Sequence, residues 1–77
     1  MQRAHLLEQL SAAKNLAREG EANIRRQKRD IVILHAAGIT SPRAQQELHI
    51  YEEVQEGILS DIERILEELD KLPGEPS

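Results

Sequence analysis

Residues 33–48, ILHAAGITSPRAQQEL, contain the strongest break in a chain whose pattern is otherwise helical. Gly38 suits the position that follows the end of a helix, where the backbone often adopts the left-handed conformation. Ile39 follows it and can contact Leu34 on the last turn of that helix, as in many helix C-termini. The stretch therefore predicts that a first helix ends just before Gly38.

A second helix is predicted to begin directly after this turn. Thr40 or Ser41 can cap its N-terminus, and Pro42 falls in its first turn, where the missing N–H costs nothing. Pro73 ends it, because the residue before a proline disfavours the helical conformation. The predicted segments are a first helix at about 4–37, a turn at 38–41, a second helix at about 41–72 and a flexible tail at 73–77.

Apolar and small residues recur at alternating spacings of three and four on both sides of the turn. This 3.5-residue period is typical of helices that contact each other along one stripe, here called the seam. The first seam consists of Leu6, Leu10, Ala13, Ala17, Gly20, Ile24, Gln27, Ile31 and Leu34. The second consists of Ala44, Leu48, Tyr51, Gln55, Ile58, Ile62, Ile65, Leu69 and Leu72. Because the link is short, the chain is expected to be all-α, an antiparallel two-helix hairpin of the coiled-coil type.

Folding the chain about the middle of the turn predicts which seam residues lie opposite each other. Their numbers add to 78 or 79 throughout, so that Gly20 meets Ile58. Gln27 then lies level with Tyr51, which is expected to be the one large aromatic of the core, and one layer from Gln55. Buried amides need partners, so we expect Gln27, Tyr51 and Gln55 to form a polar layer that fixes the register.

Composition limits the possible functions. The chain has 77 residues, no Cys and one aromatic residue, so it forms one small domain without disulfides or thiolate metal sites. It contains no phosphate-binding loop, dinucleotide fingerprint or nucleophile motif, and His5, His35 and His49 match no metal-binding spacing. We expect no enzymatic activity, no cofactor and no bound metal.

The sequence also predicts a cytoplasmic protein. No signal peptide is recognisable in the first 20 residues, which carry five charges and lack an apolar core region. The longest apolar run, residues 31–34, is far shorter than the roughly 20 residues that cross a membrane. We therefore expect a soluble chain without a membrane partner.

Several large apolar residues lie outside the two seams, and leftover apolar surface on a small chain usually marks an association surface. They are Leu7, Leu59 and Leu66 on one flank, Leu16 and Val54 on the other, and Val32, Ile33, Ile39 and Ile50 near the turn. We expect a non-enzymatic interaction or structural protein. It would self-associate as a homodimer, forming a four-helix bundle, and could dock a larger protein partner through the turn region or through its acidic second helix.

Charge divides unevenly between the two halves. Residues 1–37 carry a net charge of +3 and residues 38–77 a net charge of −7. The basic segment 25–29, RRQKR, is expected to form a solvated face that complements the acidic second helix. The alternative function is a regulatory nucleic-acid-binding protein that uses this segment, although the chain is acidic overall and places no aromatic residue among these cations.

The chain resembles a group of short alphaproteobacterial proteins of unknown function, common in rhizobia. The group has an N-terminal His-Leu, a helix of the form I-x-x-Q-R-x-x-I-x-x-L, a Gly-containing turn and a helix of the form L-x-x-F/L-E-x-x-Q. The matching parts here are His5-Leu6, residues 24–34 and residues 48–55, whereas the turn lacks the histidine usual in the group. The resemblance implies a small stand-alone helical protein and no particular activity.

Overall fold

The computed structural model describes residues 2–73, which form two helices packed side by side in opposite directions. Helix α1 is Gln2–Ala36 and helix α2 is Pro42–Lys71. This confirms an all-α chain of two helices that pack against each other. Both helices end within two residues of the predicted limits. Of the tail predicted at 73–77, residues 74–77 lie outside the described part of the chain.

The turn closes α1 in the way that the sequence predicts. Gly38 has a φ of 78°, in the left-handed region that glycine adopts without a steric penalty. Its N–H donates to the carbonyl oxygen of His35 at 3.0 Å, and the N–H of Ile39 donates to that of Leu34 at 2.9 Å. These two bonds are the pair that defines a Schellman motif, so the last carbonyls of α1 are satisfied by the turn itself.

Ser41, rather than Thr40, is the residue that caps α2. Its hydroxyl accepts a hydrogen bond from the N–H of Ala44 at 3.2 Å, and its backbone is extended, with φ −118° and ψ 99°. Pro42 follows as the first helical residue. The capping interaction satisfies one of the four N–H groups that a helix start leaves without a partner.

Burial is concentrated at the open end of the hairpin, meaning the end away from the turn. Leu6, Leu10 and Ile65 are 6%, 9% and 3% exposed and form a small core. Four half-buried seam residues pack against it, namely Ala13, Ile62, Leu69 and Leu72. The other seam residues are partly buried, and Tyr51 is the most exposed residue of the two seams, at 38%.

The exposure of Tyr51 corrects the expectation that this residue would be the aromatic centre of the core. Two helices in contact bury only a narrow stripe between them. A ring as large as that of Tyr51 extends beyond that stripe, and its outer part stays in water. The core of this hairpin is therefore aliphatic.

The register of the two helices differs from the predicted one. Gln55 Nε2 donates to the carbonyl oxygen of Ala17 at 2.9 Å, and Gln27 Nε2 donates to that of Ala44 at 2.8 Å. A Cβ atom built on Gly20 would overlap the Oε1 atom of Gln55. The numbers of these contacting residues add to between 71 and 75, not to 78 or 79.

The geometry of the turn explains this shift. The chain comes back along α1 before α2 begins, so that Ser41 shares one small pocket with Ile31 and Leu34. Folding about the middle of the turn assumed that the two helix ends would lie level. The shift is about one seam step, and it brings Gln27 to the start of α2 instead of beside Tyr51.

The hairpin is long and thin. It measures 63 by 15 by 14 Å, and its radius of gyration is 17.8 Å. A compact domain of this length would have a radius of gyration of about 11–12 Å. Most side chains therefore have only one neighbouring helix, and much of each helix surface is open to a further partner.

Candidate functional site

All nine residues predicted to contact a partner are largely exposed in the hairpin, between 46% and 66%. They are Leu7, Leu16, Val32, Ile33, Ile39, Ile50, Val54, Leu59 and Leu66. Exposure of so many large apolar side chains on a chain of 77 residues is the main unusual feature of its surface. Contact of these residues with a partner stays a prediction.

The most coherent group is the leucine flank, defined as Leu7, Leu59 and Leu66. Each of these residues follows a seam residue directly, so all three border the seam on the same side. They are 46%, 48% and 47% exposed, and they adjoin the buried core residues Leu6 and Ile65. The apolar surface is thus continuous from the core of the open end outward to solvent.

The leucine flank widens the apolar stripe of the hairpin beyond the seam. A seam at two positions of every seven is typical of a two-stranded coiled coil, whereas a third apolar position is typical of helices in a bundle. Residues 58–72 of α2 have this wider pattern, because Leu59 and Leu66 extend the stripe. The apolar stripe at the open end of the hairpin is therefore wider than a contact between two helices requires.

The opposite flank has a smaller apolar surface. Leu16 and Val54 each precede a seam residue and are 53% and 56% exposed. The register places them about 5–8 Å from each other along the hairpin axis. Two residues without an adjoining buried core form a weaker candidate than the leucine flank.

The apolar residues predicted near the turn are spread around and along the two helices. Val32 and Ile33 are successive helix residues, so their side chains point about 100° apart. The observed register places Ile50 level with about residues 23–25 of α1, roughly 12–15 Å along the axis from Ile33. Whether Ile50 joins the residues at the turn in contacting a partner stays a prediction.

Two glutamines span the seam and bind the backbone of the opposite helix. In addition to its bond with Ala44, Gln27 Nε2 lies 3.4 Å from Glu47 Oε2. The Oε1 atom of Gln55 is buried without a hydrogen-bond partner, and it rests against Gly20. Sequence reasoning placed both glutamines in the seam but missed the close approach at Gly20, for which the only signal was a glycine at a seam position. Their role in fixing the register remains a prediction.

Four ion pairs lie along α2. They are Arg43–Glu47 at 3.4 Å, His49–Glu53 at 2.9 Å, Arg64–Glu68 at 3.4 Å and Arg64–Asp61 at 3.9 Å. Within residues 2–73, none of these pairs joins the basic segment 25–29 to the acidic residues of α2. The positive charge of α1 and the negative charge of α2 are thus presented separately to the surroundings.

The described residues offer little that could hold a ligand. The pocket beside the turn has a volume of about 10 Å³, comparable to one water molecule, and its lining includes His35, Thr40 and Gln45. Across residues 2–73, no group of three or more acidic or histidine side chains is placed to hold a metal ion.

Comparison of the chain with protein-family models, curated protein sequences and solved structures finds no match. The resemblance to short alphaproteobacterial proteins consequently stays a prediction. Neither of the two helices is both long and apolar enough to span a lipid bilayer, over the residues that are described.

Proposed function

We propose that the protein is a non-enzymatic interaction module that self-associates through the leucine flank, forming a four-helix bundle from two hairpins. The observation that supports the proposal is the continuity of Leu7, Leu59 and Leu66 with the buried core of the open end. Each of these leucines is already half-buried by its own hairpin. A second hairpin on the same side would cover the remaining half.

The accessible surface of the chain supports a partner of this size. The hairpin exposes 6197 Å², whereas a compact monomer of 8.7 kDa would expose about 4,700 Å². The excess is about 1,500 Å² per copy. Each partner of a standard protein interface buries about 800 Å², so the excess leaves room for an interface of that size.

The energetic contribution of the flank can be estimated from the exposed fractions. Full burial of a leucine side chain is worth about 1.5–3 kcal/mol, and roughly half of each flank leucine remains to be buried. Each leucine thus contributes about 1 kcal/mol on association, and the six leucines of a homodimer about 6 kcal/mol. This contribution is enough to make their substitution measurable in the dissociation constant.

The experiment is the solution mass of the double variant Leu59→Lys/Leu66→Lys, with Val32→Lys/Ile33→Lys as the matched control. The first variant removes four leucines from the dimer interface, about 4 kcal/mol, which weakens association roughly 1,000-fold. We expect it to be monomeric at concentrations at which the unmodified chain and the control are dimeric. Circular dichroism measures the helix content of all three.

Two outcomes would contradict the proposal. One is a leucine-flank variant that keeps both its helix content and the mass of a dimer. The leucine-flank variant could instead lose its helices, because a single hairpin is marginally stable, and its mass would then be uninformative. In that case the unfolding midpoint of the unmodified chain must rise with protein concentration, and a constant midpoint would refute self-association.

A further inference from the structure

We propose that the second hairpin packs with its turn at the same end as the turn of the first, so that α1 of each copy lies against α2 of the other. This inference rests on the proposed self-association and adds the orientation of the partner copy. Two independent features lead to it, the position of the leucines along the flank and the distribution of charge between the helices.

The leucine flank occupies only the open half of the hairpin. The corresponding helix positions towards the turn hold the charged residues Glu21, Lys28 and Glu52, whereas those of the open half hold the three leucines and a single charge, Lys14. A two-fold axis parallel to the helices places the leucines of one copy on those of the other. A two-fold axis across the middle of the hairpin would instead place them on the charged half of the partner, where burial of unpaired charge is costly.

Charge distinguishes the same two orientations by a separate argument. An axis across the helices places α1 on the partner's α1 and α2 on the partner's α2. This holds for any extent of overlap between the two hairpins. Residues 38–77, which contain α2, carry a net charge of −7, so this arrangement brings like charges together. An axis along the helices places α2 on the partner's α1, whose half of the chain carries a net charge of +3.

The charges that border the leucine flank fit this second arrangement. On its outer edge α1 carries Arg18 and Arg25, at the same heptad position, while α2 carries Glu56, Glu63 and Asp70. All five are exposed, and the observed register puts Arg18 level with Glu56. In the proposed dimer, Arg18 of each copy faces Glu56 of the other copy on both sides of the apolar contact.

A distance between the two turns tests the orientation directly. Because the chain has no cysteine, Thr40→Cys provides a single site for a spin label at the exposed turn. With adjacent helix axes 8–10 Å apart, the proposed dimer gives a label-to-label distance below about 30 Å. An arrangement with the turns at opposite ends gives at least about 45 Å, the length of α2 at 1.5 Å per residue.

The mass of the labelled protein separates the two levels of the proposal. A dimer with a short distance between the turns supports the orientation. A dimer with a distance of about 45 Å or more overturns the orientation and leaves self-association intact. If the labelled variant and the unmodified chain are both monomeric, both the orientation and self-association are overturned.

Charge reversal gives an independent test of the same contact. Arg18→Glu and Glu56→Arg should each weaken the dimer about three- to tenfold, because each places like charges at two symmetric sites. The double variant should restore the affinity to within about twofold of that of the unmodified chain. Glu19→Lys, on the other side of α1, serves as the control and should leave the affinity unchanged. Single variants without effect, or a double variant weaker than either, would refute the pairing.

Discussion

Two glycines within the helices, Gly20 and Gly57, should respond differently to the same substitution by alanine. A Cβ atom at Gly57 would meet nothing within 4 Å, and this residue is exposed on α2. Alanine is favoured over glycine in a helix interior by about 1 kcal/mol. We therefore expect Gly57→Ala to stabilise the protein by about that amount.

Gly20→Ala has the same gain in helix propensity but meets an obstacle. The new Cβ would overlap Gln55 Oε1 and lie 3.0 Å from Gln55 Cδ, while the hydrogen bond to Ala17 holds the amide in place. Displacing the amide loses that bond, worth about 1 kcal/mol, and separating the helices costs about 1–3 kcal/mol. We expect a stability between unchanged and about 2 kcal/mol lower, which is about 1–3 kcal/mol below that of Gly57→Ala.

The assay is urea unfolding at one fixed protein concentration, followed by circular dichroism. The same pair of substitutions is then measured with Gln55→Ala in place, where Gly20→Ala should become stabilising by about 1 kcal/mol. Equal stabilisation by the two glycine variants in the unmodified chain would refute the close approach at Gly20. Coupling of Gly20 to Ile58→Ala instead of Gln55→Ala would refute the observed register and favour the one in which residue numbers add to 78 or 79.

Other residues give further predictions. Ser41→Ala removes the cap on the N–H of Ala44 and should lower the free energy of unfolding by about 1 kcal/mol, measured by urea unfolding; an unchanged midpoint would argue against the capping interaction. Gly38→Ala should also destabilise, by roughly 1 kcal/mol, because its φ of 78° strains any L side chain although no atom crowds the site; a stabilising effect would contradict the left-handed turn. The chain should not bind DNA or RNA in a mobility-shift assay even at low salt; a shift that is lost in Arg25→Glu/Arg29→Glu would instead support the alternative function of the basic segment 25–29.

The helical period and the turn residues of the sequence were enough to predict the two helices and their seams. Apolar spacing of 3.5 residues marks the surface that one helix buries against another, and the structure buries this surface wholly or in part at every seam position, least of all at Tyr51. The turn was predicted equally well, because the left-handed backbone at Gly38 and the helix cap at Ser41 depend only on these residues and their nearest neighbours in the chain. The same spacing identified the flank leucines as residues outside the seam.

The register could not be obtained in this way, because a repeating seam is nearly self-similar. A shift by one seam step still places seam residues on seam residues, so periodicity alone does not distinguish Gly20 opposite Ile58 from Gly20 opposite Gln55. The choice depends on how far the turn brings the chain back along α1 and on how far two glutamine side chains reach. Both are properties of three-dimensional packing.

The central claim, that the leucine flank of this hairpin is covered by a second copy, is tested most directly by sedimentation equilibrium of the unmodified chain. Leu7, Leu59 and Leu66 remain about half exposed in one hairpin, and the surface excess of about 1,500 Å² is enough for a dimer interface. Over micromolar to submillimolar concentrations, we expect the mass to rise from 8.7 kDa towards twice that value. A mass of 8.7 kDa at every concentration, with the helix content fully retained, would contradict the account.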